Sequence, residues 1–219
     1  MNKTKIDWAD ATWNPVTGCL HGCEYCYARR IARRFGDISC DDGQLHVQAK
    51  NVNSYEDAVH SGPYPFGFSP TFHRNILSVP KHWKKPRTIF VCSMADLFGD
   101  WVPDEWIRAV FEACEAAPQH RYIFLTKNPA RLCKMASACQ LEQWNKKHDR
   151  PHPQTKEFAG TMPLPMHDNW WFGSTLDNAN ATRFDGRFLW NTFTNISKQK
   201  GRDGKRISCE RYEKRLKKP

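Results

Sequence analysis

The clearest pattern in the chain is a pair of apolar runs separated by one amphipathic stretch. Residues 87–93 (RTIFVCS) are mostly apolar, with β-branched and aromatic side chains, which favours a strand covered on both faces. Beyond Pro103, apolar side chains recur at helical spacing, at Ile107, Val110, Phe111 and Cys114. Pro118 ends this pattern, and residues 121–126 (RYIFLT) form the second run. The segment 87–126 therefore predicts one βαβ unit with parallel strands.

The rest of the chain alternates between loop, helix and strand. Residues 36–86 are rich in Gly, Pro, Asp, Asn and Ser, which is typical of loop with short extended pieces. Helical sequence resumes over 129–144, and residues 145–168 are polar and proline-rich, as in a long surface loop. Residues 169–174 (NWWFGS) predict another strand. This alternation predicts an α/β fold with a parallel sheet or a partial barrel.

Polar side chains follow each of the three predicted strands. In parallel α/β folds, chemistry gathers at the carboxyl ends of the strands and on the loops after them. The candidates at these ends are Ser93, Asp96, Thr126, Lys127, Asn128, Ser174 and Asn178. Because Ser, Thr, Asp and Asn also cap helices, capping is an alternative role for most of these side chains.

The composition indicates a soluble chain with one sizeable core. The chain has 219 residues, of which 40% are hydrophobic. Its first ten residues, MNKTKIDWAD, lack the apolar segment of a signal peptide, and no apolar cluster approaches the length of a membrane span. We therefore predict a cytoplasmic protein. Nine cysteines in such a protein favour free thiols and metal or cluster ligands over a disulfide framework.

The net charge of +10 is concentrated near the end of the sequence. Residues 198–219 carry ten basic and three acidic side chains, so +7 of the total lies in this segment. A basic block of this kind binds polyanions or forms a solvated arm. We predict an α/β domain over residues 1–197 and a basic segment over 198–219, which is alternatively a truncated end of that domain.

The most informative segment is a cysteine motif near the start of the sequence. Cys19, Cys23 and Cys26 have C-x3-C-x2-C spacing and precede a predicted helix. Three thiolates can hold three irons of a [4Fe-4S] cluster and leave the fourth iron open to a small molecule. A zinc site is the alternative, but it needs a fourth ligand. The nearby candidates are His21, Cys40 and His46. Three unrelated buried cysteines are the remaining interpretation.

The cysteine motif and further blocks of sequence resemble one protein family. Tyr25 precedes the last cysteine, as an aromatic residue does in the signature of radical S-adenosylmethionine (SAM) enzymes. The blocks are TWNPVTGC (12–19), GCEYCYA (22–28), IFVCSMADLFGDWVP (89–103), FLTKNPARL (124–132) and NWWFGSTLDN (169–178). Together they resemble a phage- and prophage-associated radical-SAM-like family of unassigned substrate, sometimes called the Gp thirty-seven/sixty-eight type. The resemblance covers most of residues 6–180.

The resemblance implies a fold, two cofactors and a partner. The fold would be a partial (β/α) barrel of the radical SAM type, with the cluster loop after the first strand. The cofactors would be a [4Fe-4S] cluster and SAM, which such enzymes cleave reductively to a 5′-deoxyadenosyl radical. The expected partner is an electron donor of the flavodoxin or ferredoxin type.

The resemblance also assigns roles to individual residues. The three cysteines would bind three irons, and SAM would chelate the fourth through its amino and carboxylate groups. Tyr25 would pack near the adenine, and Ser93 and Asp96 would lie by the SAM amino group, with Asp96 the better charge match. Lys127 would meet the SAM carboxylate or an anionic substrate. The other residues expected at the barrel opening are Thr126, Asn128, Ser174 and Asn178.

The sequence departs from this family after Asn180. Residues 207–210 (ISCE) resemble a late strand, but residues 211–213 (RYE) follow where family members continue through a proline and an apolar loop. Such an ending is expected of a truncated or frame-altered gene, and it predicts an incomplete last part of the barrel. Three classes of function follow: a radical SAM enzyme, a zinc-stabilised nucleic-acid-binding module, or an inactive remnant of the enzyme.

The leading substrate prediction is an anion, such as nucleic acid or a nucleotide. It depends on Lys127, on the basic segment 198–219 and on four arginines in the helix after the cysteines. These arginines are Arg29, Arg30, Arg33 and Arg34, and ordinary surface charge is their alternative role.

Overall fold

The computed structural model describes residues 4, 6–36, 41–48 and 64–174. Within them the chain forms two compact units. The first takes its described residues from Met1–Leu132 and Leu164–Leu176, and the second is described over Cys133–Pro163. The predicted boundary between residues 197 and 198 lies outside the described residues.

The described elements are short strands and four α-helices. The strands are β1 (Ala11–Trp13), β2 (Val16–Thr17), β3 (His46–Gln48), β4 (Thr71–His73), β5 (Thr88–Val91), β6 (Arg121–Thr126) and β7 (Trp170–Ser174). The helices are α1 (Tyr27–Phe35), α2 (Val79–His82), α3 (Asp104–Glu115) and α4 (Pro129–His148). Short 3-10 helices lie at Arg74–Ile76 and Pro153–Phe158. No helix in the described part of the chain has both the length and the apolar character of a membrane span.

The first unit is built on a four-stranded parallel sheet in the order β1-β5-β6-β7. The strands predicted over 87–93, 121–126 and 169–174 are all members of this sheet, as β5, β6 and β7. The predicted βαβ unit is therefore confirmed, with α3 between β5 and β6. The α/β class is confirmed as well, and the described strands do not form a closed barrel.

Helix α3 and the sheet form an aromatic core. The helix begins after Pro103, with Asp104 and Glu105 in its first turn, where carboxylates complement the helix dipole. Its buried residues are Trp106, Ile107, Val110, Phe111 and Cys114. The Phe111 ring lies 4.9 Å from the ring of Phe124 and 4.8 Å from that of Trp170. Such ring pairs add about 0.5–1.5 kcal/mol each beyond the burial of their area.

Helix α4 is longer than the sequence pattern predicts. The predicted end at residue 144 is extended by one turn to His148. In that turn the rings of Trp144 and His148 stack 4.1 Å apart, and Lys146, Lys147 and His148 suit the negative end of the helix dipole. Part of the loop predicted over 145–168 is therefore helical.

A second, three-stranded sheet in the order β2-β4-β3 supports the start of the cysteine motif. His73 of β4 bonds Thr17 of β2 through Nε2, at 2.8 Å, and Gln48 of β3 through Nδ1. Burial lowers the pKa of His73 to about 4, so its ring is neutral at pH 7. In that neutral ring Nδ1–H donates to the Gln48 side-chain oxygen and Nε2 accepts from the Thr17 hydroxyl. The bonded pair fixes the strand that leads into Gly18 and Cys19.

Candidate functional site

The cysteine loop begins at a glycine held between two other loops. The Gly18 N–H donates to the Met94 carbonyl at 3.0 Å, and the Cys19 N–H donates to the Phe68 carbonyl at 3.2 Å. Gly18 has φ +82°, and a Cβ atom there would lie 2.2 Å from the backbone oxygen of Ser69. Only glycine fits this position, because both the backbone conformation and the close approach exclude a side chain.

The last cysteine of the motif caps helix α1. Cys26 is the N-cap residue, and its Sγ accepts a hydrogen bond from the Arg29 N–H at 3.4 Å. The positive end of the helix dipole favours negative charge on this sulfur. The helix after the motif was predicted. Because the helix starts at Tyr27, Cys26 occupies the N-cap position.

All three cysteines line one cavity of about 230 Å³. Part of the remaining lining comes from the loop after β5 and from the end of β6, as expected for the carboxyl ends of parallel strands, and the rest comes from the cysteine loop, the start of α1, Phe68 and Phe90. The predicted residues among it are Tyr25, Ser93, Asp96, Thr126 and Lys127. The structure therefore brings five of the predicted strand-end and loop residues together with the motif.

Asp96 is the most highly connected side chain of the cavity. It is only 5% exposed, and each carboxylate oxygen accepts two hydrogen bonds. The donors on Oδ1 are the Thr126 hydroxyl at 2.7 Å and the Phe98 N–H at 3.1 Å. Those on Oδ2 are the Lys127 N–H at 2.8 Å and His21 Nε2 at 2.7 Å. Asp96 thereby ties the cysteine loop to the ends of both central strands.

The Lys127 side chain places an ammonium group against the cysteine loop. Its Nζ lies 3.3 Å from Cys23 Sγ and donates to the hydroxyl of Tyr25, whose side chain is 63% exposed. Cation and sulfur are close enough for the ammonium to stabilise a thiolate. Tyr25, predicted to pack near an adenine, is here the hydrogen-bond partner of the lysine.

The remaining predicted residues have other partners. Ser93 donates through Oγ to Asn14 Oδ1 at 3.0 Å. Asn128 donates through Nδ2 to the Phe98 carbonyl and to Asp100, and it is not part of the cavity lining. Ser174 pairs with Thr126 at the end of the sheet, and its buried hydroxyl has no partner among the described residues. Asn178 lies outside the described residues.

Comparison with protein families shows which family the chain belongs to. Residues 3–196 match a family described as "Protein of unknown function (DUF5131)". The chain belongs to this family. The description assigns no activity, substrate or cofactor, and comparisons with curated proteins and with solved structures find no significant match. The DUF5131 match takes in every residue of the cavity described above.

Three cysteines of this DUF5131 protein lie away from the cavity, in surroundings that differ from those of the motif. Cys114, Cys133 and Cys139 are buried, and Cys40 and Cys209 lie outside the described residues. His46, a candidate zinc ligand, bonds Asp42 at 2.9 Å and stacks on Phe66. Within the described ranges, no three His, Cys, Asp or Glu side chains form a group that could hold a metal ion.

Several residues of the DUF5131 cavity were not predicted to belong to it, among them Cys92 and His21. Cys92 lines the cavity from the end of β5, with φ +53°, and burial raises its pKa to about 12. His21, considered only as a zinc ligand, instead joins the cysteine loop to Asp96. The sequence signal for both is weak, because Cys92 continues an apolar run and the His21 contact spans 75 positions.

Proposed function

We propose that this protein is a radical SAM enzyme that uses a [4Fe-4S] cluster bound by Cys19, Cys23 and Cys26. The observation that carries the proposal is that the three cysteines line one cavity at the carboxyl end of a parallel sheet. The four described parallel strands would then be one arc of a partial (β/α) barrel. The substrate class proposed with it is nucleic acid or a nucleotide.

A cluster would place a different geometric demand on the three cysteines from that of a single metal ion. A cluster places each thiolate on a different iron, so its ligands surround a volume and need not converge on one point. Burial raises the pKa of Cys19 to about 12, so that thiol stays protonated until a cation binds it. The helix dipole at Cys26 and the ammonium of Lys127 beside Cys23 both favour sulfur that carries negative charge.

The residues around the cysteines would bind and orient SAM. A cluster bound here would supply one electron to the SAM sulfonium. The Lys127 ammonium offers a charge-assisted donor for a carboxylate at the cavity wall. Asp96 offers a carboxylate for an amino group, and since its two oxygens already accept four hydrogen bonds, the amino group would replace one donor. His21 is the donor whose side chain can turn away, because it is partly exposed, whereas Thr126 is buried and the other two donors are backbone N–H groups.

Metal analysis of the wild-type protein is the direct test. Anaerobically purified and reconstituted protein should hold about four irons and four sulfides per chain, with visible iron-sulfur absorbance. Stoichiometric zinc without a chromophore would instead support a zinc-stabilised module. Once reduced, the loaded protein should release 5′-deoxyadenosine from SAM. A loaded, reducible protein that leaves SAM intact would support the inactive remnant.

A further inference from the structure

Helix α1 exposes its large side chains and buries its small ones. Ala28 and Ala32 face the interior, where they pack in a cluster with Tyr64, Phe68 and Met94. Tyr27, Ile31 and Phe35 are 49%, 37% and 62% exposed. An amphipathic helix normally buries its large apolar residues, so the core does not account for this arrangement.

Two rows of side chains run along the exposed side of the helix. Tyr27, Ile31 and Phe35 follow one another at four-residue spacing, about 6 Å apart along the axis. Arg30 and Arg34 form a second row with the same spacing, and both are exposed. No acidic residue interrupts the helix, whose sequence is YARRIARRF. We call these five residues the α1 face.

The α1 face leads directly to the cysteine cavity. Tyr27 is both the first residue of the face and part of the cavity lining, and its hydroxyl donates to the Ser93 carbonyl. Cys26, which caps the helix, is the next residue toward the motif. A ligand lying along the face would therefore reach the proposed reaction site without a gap.

We propose that the α1 face binds single-stranded nucleic acid and guides one of its nucleotides into the cavity. Exposed aromatic rings beside a row of arginines suit bases that stack and phosphates that pair with guanidinium groups. A base paired within a duplex is held in its stack and cannot enter a cavity of about 230 Å³, so the strand must be single or locally opened. The inference rests on the proposed function for the chemistry, whereas binding can be measured without it.

A salt titration of binding tests the proposal. Fluorescence anisotropy of labelled single-stranded DNA and RNA oligonucleotides should be followed at several salt concentrations, with the full chain. The plot of log K against log salt has a negative slope, and each lost phosphate contact on a single strand makes it shallower by about 0.7. Arg30→Ala/Arg34→Ala should therefore make the slope shallower by about 1.4. Phe35→Ala should weaken binding roughly five-fold or more, with the slope unchanged, because it removes stacking and no charge.

Charge-matched variants provide the controls. Lys84→Ala/Lys85→Ala removes two exposed positive charges elsewhere in the first unit, and Lys217→Ala/Lys218→Ala removes two from the basic segment. Arg30→Lys/Arg34→Lys keeps the charge and should keep most of the salt dependence. Equal slope changes in the α1 and control variants would overturn the proposal, since binding would then be diffuse electrostatics.

Two further outcomes separate this proposal from its alternatives. If the wild-type chain binds no oligonucleotide at low salt and Arg30→Ala/Arg34→Ala instead slows reduction by an acidic flavodoxin, the face binds the electron donor and the proposal is overturned. Iron and sulfide analysis of the same preparations keeps the two proposals distinct. If wild-type protein that is fully loaded with iron and sulfide binds no oligonucleotide, only the proposal for the α1 face is rejected. If the wild-type protein holds no iron after reconstitution, the cluster is rejected and the oligonucleotide-binding result is unaffected.

Discussion

The cysteine loop and the aromatic core of the first unit hold the same residue type in opposite surroundings. The loop cysteines are partly buried and line a cavity, with backbone and side-chain donors close by. Cys114 is fully buried on the inner side of α3 and is not part of that cavity. The contrast shows that surroundings, and not residue type, distinguish a candidate ligand from a core cysteine.

The aromatic core and the cysteine loop also differ in how far their structure follows from local sequence patterns. The core depends on apolar side chains that repeat at strand and helix spacing, so each element carries its own signal. The cysteine loop has little regular structure and is held by Met94, Phe68 and Asp96, all distant in sequence. Substitutions should therefore separate the regions cleanly: those in the loop should remove binding, and those in the core should remove stability.

The largest expected effect is the loss of the cluster. Cys23→Ala should reduce bound iron to background and abolish the visible absorbance after anaerobic reconstitution, because it removes one of three ligands. Cys114→Ala should retain both, since it removes only a small buried side chain. Normal reconstitution of the Cys23→Ala protein would show that the motif is not the ligand set.

The core should give the largest change in stability. Phe111→Ala removes a ring that packs against Phe124 and Trp170, and it should lower the free energy of unfolding by about 3–5 kcal/mol. Phe35→Ala is the matched control, because Phe35 is 62% exposed and should change stability by less than about 0.5 kcal/mol. Urea unfolding measures both, and similar midpoints for the two variants would contradict the core assignment.

The support beneath the cysteine loop should respond to pH. The pKa of His73 is lowered by burial to about 4, below its ordinary 6.5, so the unfolded chain binds this proton more readily. Stability from this group is therefore present above pH 6.5 and is lost as pH falls toward 4, by about 3 kcal/mol at most. His73→Gln should reduce the slope of unfolding free energy against pH in that window. An unchanged slope would show that other groups cause it.

A smaller effect is expected for SAM binding. Asp96→Asn keeps the shape of the side chain but removes its charge, so it should weaken SAM binding to the loaded protein by about 1.5–3 kcal/mol. Asp100→Asn is the control, because Asp100 bonds Asn128 outside the cavity lining. Equilibrium dialysis compares the two. Equal SAM affinity in both variants would show that Asp96 only bonds His21, Thr126 and the nearby backbone and does not bind SAM.

Much of the parallel sheet was predictable, whereas the shortest strands of the two sheets were not. Strands β5, β6 and β7 and helix α3 bury continuous or periodic apolar residues, and such patterns survive in any context. Strands β1 and β2 have three and two residues, too few to show a period. Helix α4 extends beyond its predicted end, to His148, where the rings of Trp144 and His148 stack. The polar composition of this segment gave no sign of that contact.

The candidate site was predictable in its members more than in its contacts. Residues at the ends of parallel strands must lie at one edge of the sheet, which places Asp96 and Thr126 together without any coordinates. Which donor meets which acceptor depends on distances that sequence does not contain. The contact of Lys127 with Cys23 spans 104 positions, and the His21 bond to Asp96 spans 75.

The backbone bonds at Gly18 and Cys19 set an order on biosynthesis. A ribosome releases the three cysteines early, yet the carbonyls that hold the loop belong to Phe68 and Met94. After Cys26, 68 further residues (94 − 26) are therefore synthesised before the second of these backbone supports, Met94, exists. Under the proposed function, a cluster-delivery system would find the described cavity complete only after translation has passed Lys127.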